Sequence, residues 1–206
     1  MASRIVVFVV FVLAVLGTPA RLAAQASTIE AARHALEKGE GTIGKIPLRG
    51  VRFHWDAAAG RYRVLVIAGN LEGGIAVFDS NGKMVSSLPS AEPLSVQLVD
   101  LDFDGTAEII TDEVVGRGTG ALHQAFHIYR LGATGTVADV WKGDSYLATP
   151  TEGPKRGYLR IDPTSSRTPG YAIRHLEVDE PTGRTRSEVL QLINGAVQVL
   201  PATARR

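Results

Sequence analysis

The chain contains no cysteine. This excludes disulfides, zinc–thiolate and iron–sulfur centres, and any thiol nucleophile. No G-x-S-x-G nucleophile elbow occurs, and no Lys-Ser/Thr pair follows a glycine-rich loop as a phosphate cradle requires. No charge of one sign dominates: 22 Lys and Arg face 21 Asp and Glu. A near-neutral chain gives no electrostatic case for nucleic acid or an anionic membrane. Aromatic residues are scarce at 6%. Trp55, Trp141, Tyr129 and Phe126 read as fillers of a core between sheets.

Long apolar runs are missing everywhere but at the start. Arg4 precedes an unbroken apolar run from Ile5 to Leu16, Gly17-Thr18-Pro19 breaks it, and Ala24-Gln25-Ala26 fits a small-x-small cleavage site. This predicts a secretory signal peptide over residues 1–26, with an apolar part too short to span a bilayer comfortably. Without a cysteine after the run, a lipid-anchored product is excluded. Removing Arg4 and Arg21 with the leader changes a formal charge of +1 to −1. The remaining chain is long enough for one domain with a sizeable core. An exported chain without disulfides must be held by core burial and metal, which leans toward a bacterial periplasmic or extracellular protein.

The most informative stretch runs from Val99 to Ile110, Val-Asp-Leu-Asp-Phe-Asp-Gly-Thr-Ala-Glu-Ile-Ile. Asp100, Asp102, Asp104 and Glu108 occupy positions 1, 3, 5 and 9 of a short acidic loop, with Gly105 at position 6. Carboxylates this close repel one another unless a cation offsets them. Hard oxygen ligands at this spacing suit Ca²⁺, which takes about 6–8 oxygens. An EF-hand is excluded, because its twelfth position needs a bidentate glutamate and here holds Thr111. The flanks also read as strands: Leu94 to Val99 alternates apolar and polar residues, and Ile109-Ile110 comes next with no helical period.

A strand, acidic loop and strand with the last carboxylate at position 9 resembles the FG-GAP/VCBS repeats of integrin-α-like β-propellers. The resemblance covers about a dozen residues. It implies Asp100, Asp102, Asp104 and Glu108 as Ca²⁺ ligands, with a backbone carbonyl from Thr106. Glu108 departs from the aspartate that the family more often carries there.

Ser27 to Leu36 is the one good helix candidate. Ser27 and Glu30 form a capping box, Ile29, Ala32, Ala35 and Leu36 lie on one stripe, and Gly39 and Gly41 end it. His34 falls on the polar side. Residues 27–49 are read as helix and linker, and 50–206 as the β-repeat domain.

From Gly50 onward three units of four strands repeat at about 45–50 residues. The first holds 51–55, 63–68, 75–79 and 83–87, and the second 94–99, 107–111, 121–131 and 137–141. The third holds 144–148, 158–161, 171–178 and 186–192. Turns are predicted at Ser80–Gly82, Gly132–Gly135 and Pro181–Gly183, and Asn194-Gly195 suits a type I′ hairpin. The expected class is all-β, with propeller-like antiparallel units that form an open or partial propeller or a sandwich. Only the middle unit carries the full acidic loop. The equivalent hairpin of the first unit, residues 56–60, has Asp56 alone, and that of the third, residues 149–157, has Glu152 alone. One complete site predicts a structural clasp, not a sensor.

His123 and His127 make H-x-x-x-H. On a strand that spacing separates the rings by roughly 13 Å, so they share a face but not one ion. With Asp112 or Glu113 they form a candidate ligand face. Gly116 to Gly120 reads as a wide hairpin loop beside the metal, and such loops on rigid scaffolds often carry recognition. Arg117, His123 and His127 are therefore the candidate partner-binding residues. Asp56 with Asp79, and Glu177 with Asp179 and Glu180, lack any supporting catalytic motif.

The expectation is an exported, noncatalytic, calcium-binding β-repeat module that takes a protein or polysaccharide partner. A small exported hydrolase using the metal or the His123/His127 face is the alternative. A subunit that completes a larger propeller assembly is the third reading.

Overall fold

The computed structural model describes residues 28–69, 72–164 and 170–200. The expected leader lies outside the described residues, as does Ser27. Helix α1 spans Ile29–Lys38. Its N-cap is Thr28, whose hydroxyl accepts from the Ala31 amide, so the cap sits one residue later than the capping box predicts. Gly39 closes it with φ 63° and donates to the Leu36 carbonyl. Ile29, Ala32 and Leu36 are buried as the stripe requires, and His34 is exposed. The expected linker instead holds a small hairpin, β1 (Thr42–Ile43) and β2 (Ile46–Pro47).

The rest is antiparallel β. A four-stranded meander contains β3 (Phe53–Ala59), β4 (Tyr62–Ala68), β5 (Gly73–Phe78) and β6 (Met84–Ser90). Its four strands answer to the four of the first predicted unit, but β3 runs through Ala59, so the hairpin expected at residues 56–60 is strand as far as Ala59 and turns only at Gly60 and Arg61. The later strands are β7 (Glu92–Val99), β8 (Glu108–Gly118), β9 (Ala121–Leu131), β10 (Val137–Thr149), β11 (Gly153–Pro163), β12 (Tyr171–Asp179), β13 (Thr185–Ile193) and β14 (Ala196–Leu200). These form one open eight-stranded sheet in chain order. The second and third predicted units are therefore fused. The strands expected at 137–141 and 144–148 are one strand, β10, kinked by register shifts at Asp139/Trp141 and Asp144/Tyr146.

Three apolar layers hold these parts. Helix α1, the small hairpin and one face of the meander share Ile29, Leu36, Ile43, Ile46, Leu65 and Phe78. The other face of the meander packs Val64, Val66, Ile75 and Val77 against Ile109, Tyr129 and Leu131 of the long sheet. Buried on both faces, β4 reads as a continuous apolar run in the sequence. The long sheet then curls on itself: Ile173, Leu190 and Leu192 cover Ile110 and Ile128, with Leu101 at the centre. Trp55 and Trp141 are half-buried against these layers and Tyr129 is buried, as fillers should be.

The Gly116–Gly120 loop is corrected by the structure. Gly116, Arg117 and Gly118 belong to β8, and Gly118 pairs directly with Ala121. Only Thr119 and Gly120 turn, with φ 41° and 82°. The glycines extend a hairpin and form no wide loop. Asn194-Gly195 makes its expected tight turn, with φ 51° and 80°, between paired Ile193 and Ala196.

Candidate metal centre

The acidic loop links the end of β7 to the start of β8, near the seam between the two sheets. Its path is fixed by its own backbone. Phe103 and Gly105 adopt φ 59° and 86°. The Asp100 carboxylate accepts from the Asp104 and Gly105 amides at 3.1 and 2.9 Å. Asp104 Oδ1 accepts from the Thr106 amide at 2.7 Å. Leu101 is fully buried, and its carbonyl accepts from the Tyr171 amide, tying the loop to β12. Phe103 meets the Tyr171 ring edge-on at 5.3 Å.

This folding gathers three carboxylates. Ligand oxygens of Asp100, Asp102 and Glu108 lie within 4.8 Å of one another. No separation among them exceeds about twice a Ca²⁺–oxygen distance of roughly 2.4 Å, so the three carboxylates can reach one ion. Glu108 is 1% exposed. Its Oε2 accepts from the Leu101 amide at 2.9 Å, whereas its Oε1, like Asp102 Oδ1, is buried with no hydrogen-bond partner. Burial pushes the Glu108 carboxyl up to about 7; the Leu101 amide opposes this and the charge of Asp102 adds to it. Burial and then the charge of Asp104 raise Asp102 as well. A cation between them would reverse both effects.

Asp104 stands apart from the triad. Its Oδ2 lies 3.0 Å from Arg130 Nη2, and the same nitrogen is 3.2 Å from Asp102 Oδ2. Arg130, absent from the sequence reading, belongs to β9. Only the β8–β9 register, with Ile109 opposite Tyr129, brings it back beside the loop. Thr106 and Asp104 line a concavity of about 590 Å³ together with Arg61 and Arg130.

The first-unit equivalent, Asp56, has no need of a metal. Burial opposes its charged form, but hydrogen bonds from Arg63 and Arg33 outweigh that and lower its pKa. It joins α1 to the meander.

The histidines occupy a second concavity of about 630 Å³, shared with His175, Trp141, Asp144 and Glu188. His123 Nε2 pairs with Asp144 at 2.8 Å, and His127 Nδ1 with Asp139 at 2.8 Å. As expected on a strand, they share a face with separate partners. Of the two acids expected beside them, Asp112 lies on the opposite strand face and accepts from Ser145 Oγ, whereas Glu113 shares the histidines' face near His127, 1% exposed and held in its own network. The partners Asp144 and Asp139 come from β10, whose bulges set a register that spacing along one strand does not reveal. Arg117 does not line this concavity; its guanidinium pairs with Glu92 at 2.9 Å. The three candidate partner residues therefore do not form one surface. His175 is a further residue the sequence reading missed: it is 2% exposed, bonds the Asp144 carbonyl at 2.9 Å and meets the Trp141 ring edge-on.

Comparison with protein-family models, curated proteins and solved structures gives no match. The reading of the site therefore rests on its geometry. An all-oxygen, anionic cluster with two unpartnered buried oxygens suits a hard cation. Among the described residues, no helix is long and apolar enough to cross a membrane.

Proposed function

We propose that the protein is an exported, noncatalytic, calcium-stabilised β-repeat module that binds a protein or polysaccharide partner. One observation carries the cation: Glu108 and Asp102, whose carboxylates cluster with that of Asp100, each keep a buried oxygen with no hydrogen-bond partner. An unpaired buried carboxylate costs several kcal/mol unless a cation or donor meets it. Asp104 and the Thr106 carbonyl join the ligand set once the ion is bound, as the FG-GAP/VCBS resemblance implies. The ion clasps the curl of the long sheet, because Leu101 beside it is tied to β12 of that same sheet. The likeness to a propeller blade is supported by the meander of residues 53–90 alone, since the later strands share one sheet. Calorimetric titration with calcium chloride tests the site. Binding of one ion per chain, lost in Asp102→Ala, is expected; no heat in either protein overturns it. Export is tested by N-terminal sequencing of the envelope protein, expected to begin at Ser27.

The partner surface of this reading is the His123/His127 concavity. A hydrolase remains the second reading, favoured by one observation: the His123–Asp144 pair opens into a concavity that also holds His175, Glu177 and Glu188. Turnover of a glycoside or ester by the purified protein, lost in His123→Ala, would replace the binding module with the hydrolase.

A further inference from the structure

We infer that Arg130 is a built-in counter-cation of the acidic loop, and that a divalent ion binds by displacing it from Asp102 and Asp104. The inference rests on the cation site proposed above and concerns how that site is regulated. Three distances define the present arrangement. Arg130 Nη2 is 3.0 Å from Asp104 Oδ2 and 3.2 Å from Asp102 Oδ2, and its Nε is 3.8 Å from Glu108 Oε1. The guanidinium thus reaches three of the four loop carboxylates, but one charge cannot offset all of them. Its Nη2 hydrogen-bonds Asp104 and only pairs ionically with one oxygen of Asp102, whose other oxygen is buried without a hydrogen-bond partner, and at 3.8 Å it makes no hydrogen bond to Glu108.

A divalent ion among Asp100, Asp102 and Glu108 sits next to this guanidinium and is repelled by it. Recruiting Asp104 as a fourth carboxylate requires the Asp104–Arg130 pair to break. The molecule offers a place for the released side chain, because Arg130 already lines the concavity shared with Arg61, Leu131 and Gly132. The other wall is closed. A Cβ at Gly195 would collide with Arg130 Nη1, so only glycine at the β13–β14 turn lets the guanidinium lie where it does. Ion binding therefore also loosens a contact with the last hairpin. In the absence of an ion, Arg130 offsets part of the charge of the loop carboxylates. In its presence, Arg130 sets how much ion is needed.

The test is calorimetric titration of the full chain with calcium chloride at fixed ionic strength, for wild type and Arg130→Gln. Removing the competing charge is expected to tighten calcium binding by about tenfold or more, while lowering the melting temperature of the metal-free protein. Equal or weaker affinity in Arg130→Gln overturns the inference and leaves the cation site standing. Binding in neither protein overturns the cation site itself. Binding in the variant alone supports the inference in its strongest form. Should Arg130→Gln not fold, wild type suffices: the Arg130 side-chain Nε–H resonance is expected to move on calcium addition. A resonance unmoved at saturation overturns displacement.

Discussion

Glu108 and Glu113 lie on the same strand, each 1% exposed, on opposite faces. Glu113 shares the face of Ile109, which packs toward the meander, whereas Glu108 shares that of Ile110, which packs into the curled half of the long sheet. Glu113 accepts from Thr111 Oγ1 at 2.6 Å, Tyr129 Oη at 2.8 Å and the Ala91 amide at 3.1 Å. Glu108 has one amide donor and one bare oxygen. Burial raises the pKa of both. The protein meets the desolvation cost of one carboxylate internally and leaves the other incomplete. Completeness of hydrogen bonding, not burial, distinguishes these two acids.

The comparison is broken most forcefully at Glu113. Glu113→Ala strands two hydroxyls and an amide in the core and is expected to cost about 3–5 kcal/mol, read by urea denaturation. The loss should be the same with calcium or chelator. A loss that vanishes in calcium would place Glu113 in the metal's network. In chelator, Glu108→Gln should be neutral or stabilising, because it removes a buried charge.

The pH dependence sharpens the contrast. Glu108 titrates at about 7 in the folded chain and near 4.5 when unfolded. The folded state thus holds the extra proton between those values. Stability in chelator is expected to fall as pH rises from about 4.5 to about 7, by on the order of 3 kcal/mol from this residue. Asp102, Asp112 and Glu113 shift in the same direction. The difference between wild type and Glu108→Gln across pH 5 to 8 isolates the contribution of Glu108, and parallel pH profiles would refute it.

Calcium should act next in size. At about a hundred times its dissociation constant, an ion bound only by the folded state adds about 2.7 kcal/mol. For a chain of this length that corresponds to roughly 5–10 °C in melting temperature. Asp102→Ala and Glu108→Gln should abolish the rise. A wild-type melting temperature equal in calcium and chelator would remove the metal from the account.

The parts legible in the sequence were local ones. Turns at Ser80–Gly82 and Asn194-Gly195 arise from residues that tolerate positive φ or bond their own backbone, as Asp79 does to the Asn81 and Lys83 amides. The spacing of Asp100, Asp102 and Glu108 foretold a cluster because the loop folds on its own hydrogen bonds. The hidden parts depend on register. Gly143 resembles a strand break, yet it lies inside β10, where a Cβ would stand 2.6 Å from the Trp141 ring. Arg130 reaches Asp102 and Asp104 only through cross-strand pairing, and the bulges of β10 choose the partners of His123 and His127.

The smallest effect on stability belongs to the candidate partner surface, and there the two substitutions should differ. His123 and Asp144 form a half-exposed pair, 40% and 45% exposed at the side chain. Exposed pairs contribute about 0–1 kcal/mol, so His123→Ala should barely move the melting temperature. Arg117 is 42% exposed, but its partner Glu92 is only 10% exposed. Removing Arg117 leaves a nearly buried carboxylate without its cation, so Arg117→Ala should destabilise more than His123→Ala, by about 1–2 kcal/mol. Partner capture should take the opposite order. His123 lines the 630 Å³ concavity and Arg117 does not, so His123→Ala should weaken retention on a polysaccharide or protein affinity matrix more. Capture lost in Arg117→Ala alone would move the recognition surface to the β8–β9 hairpin, away from the histidine concavity.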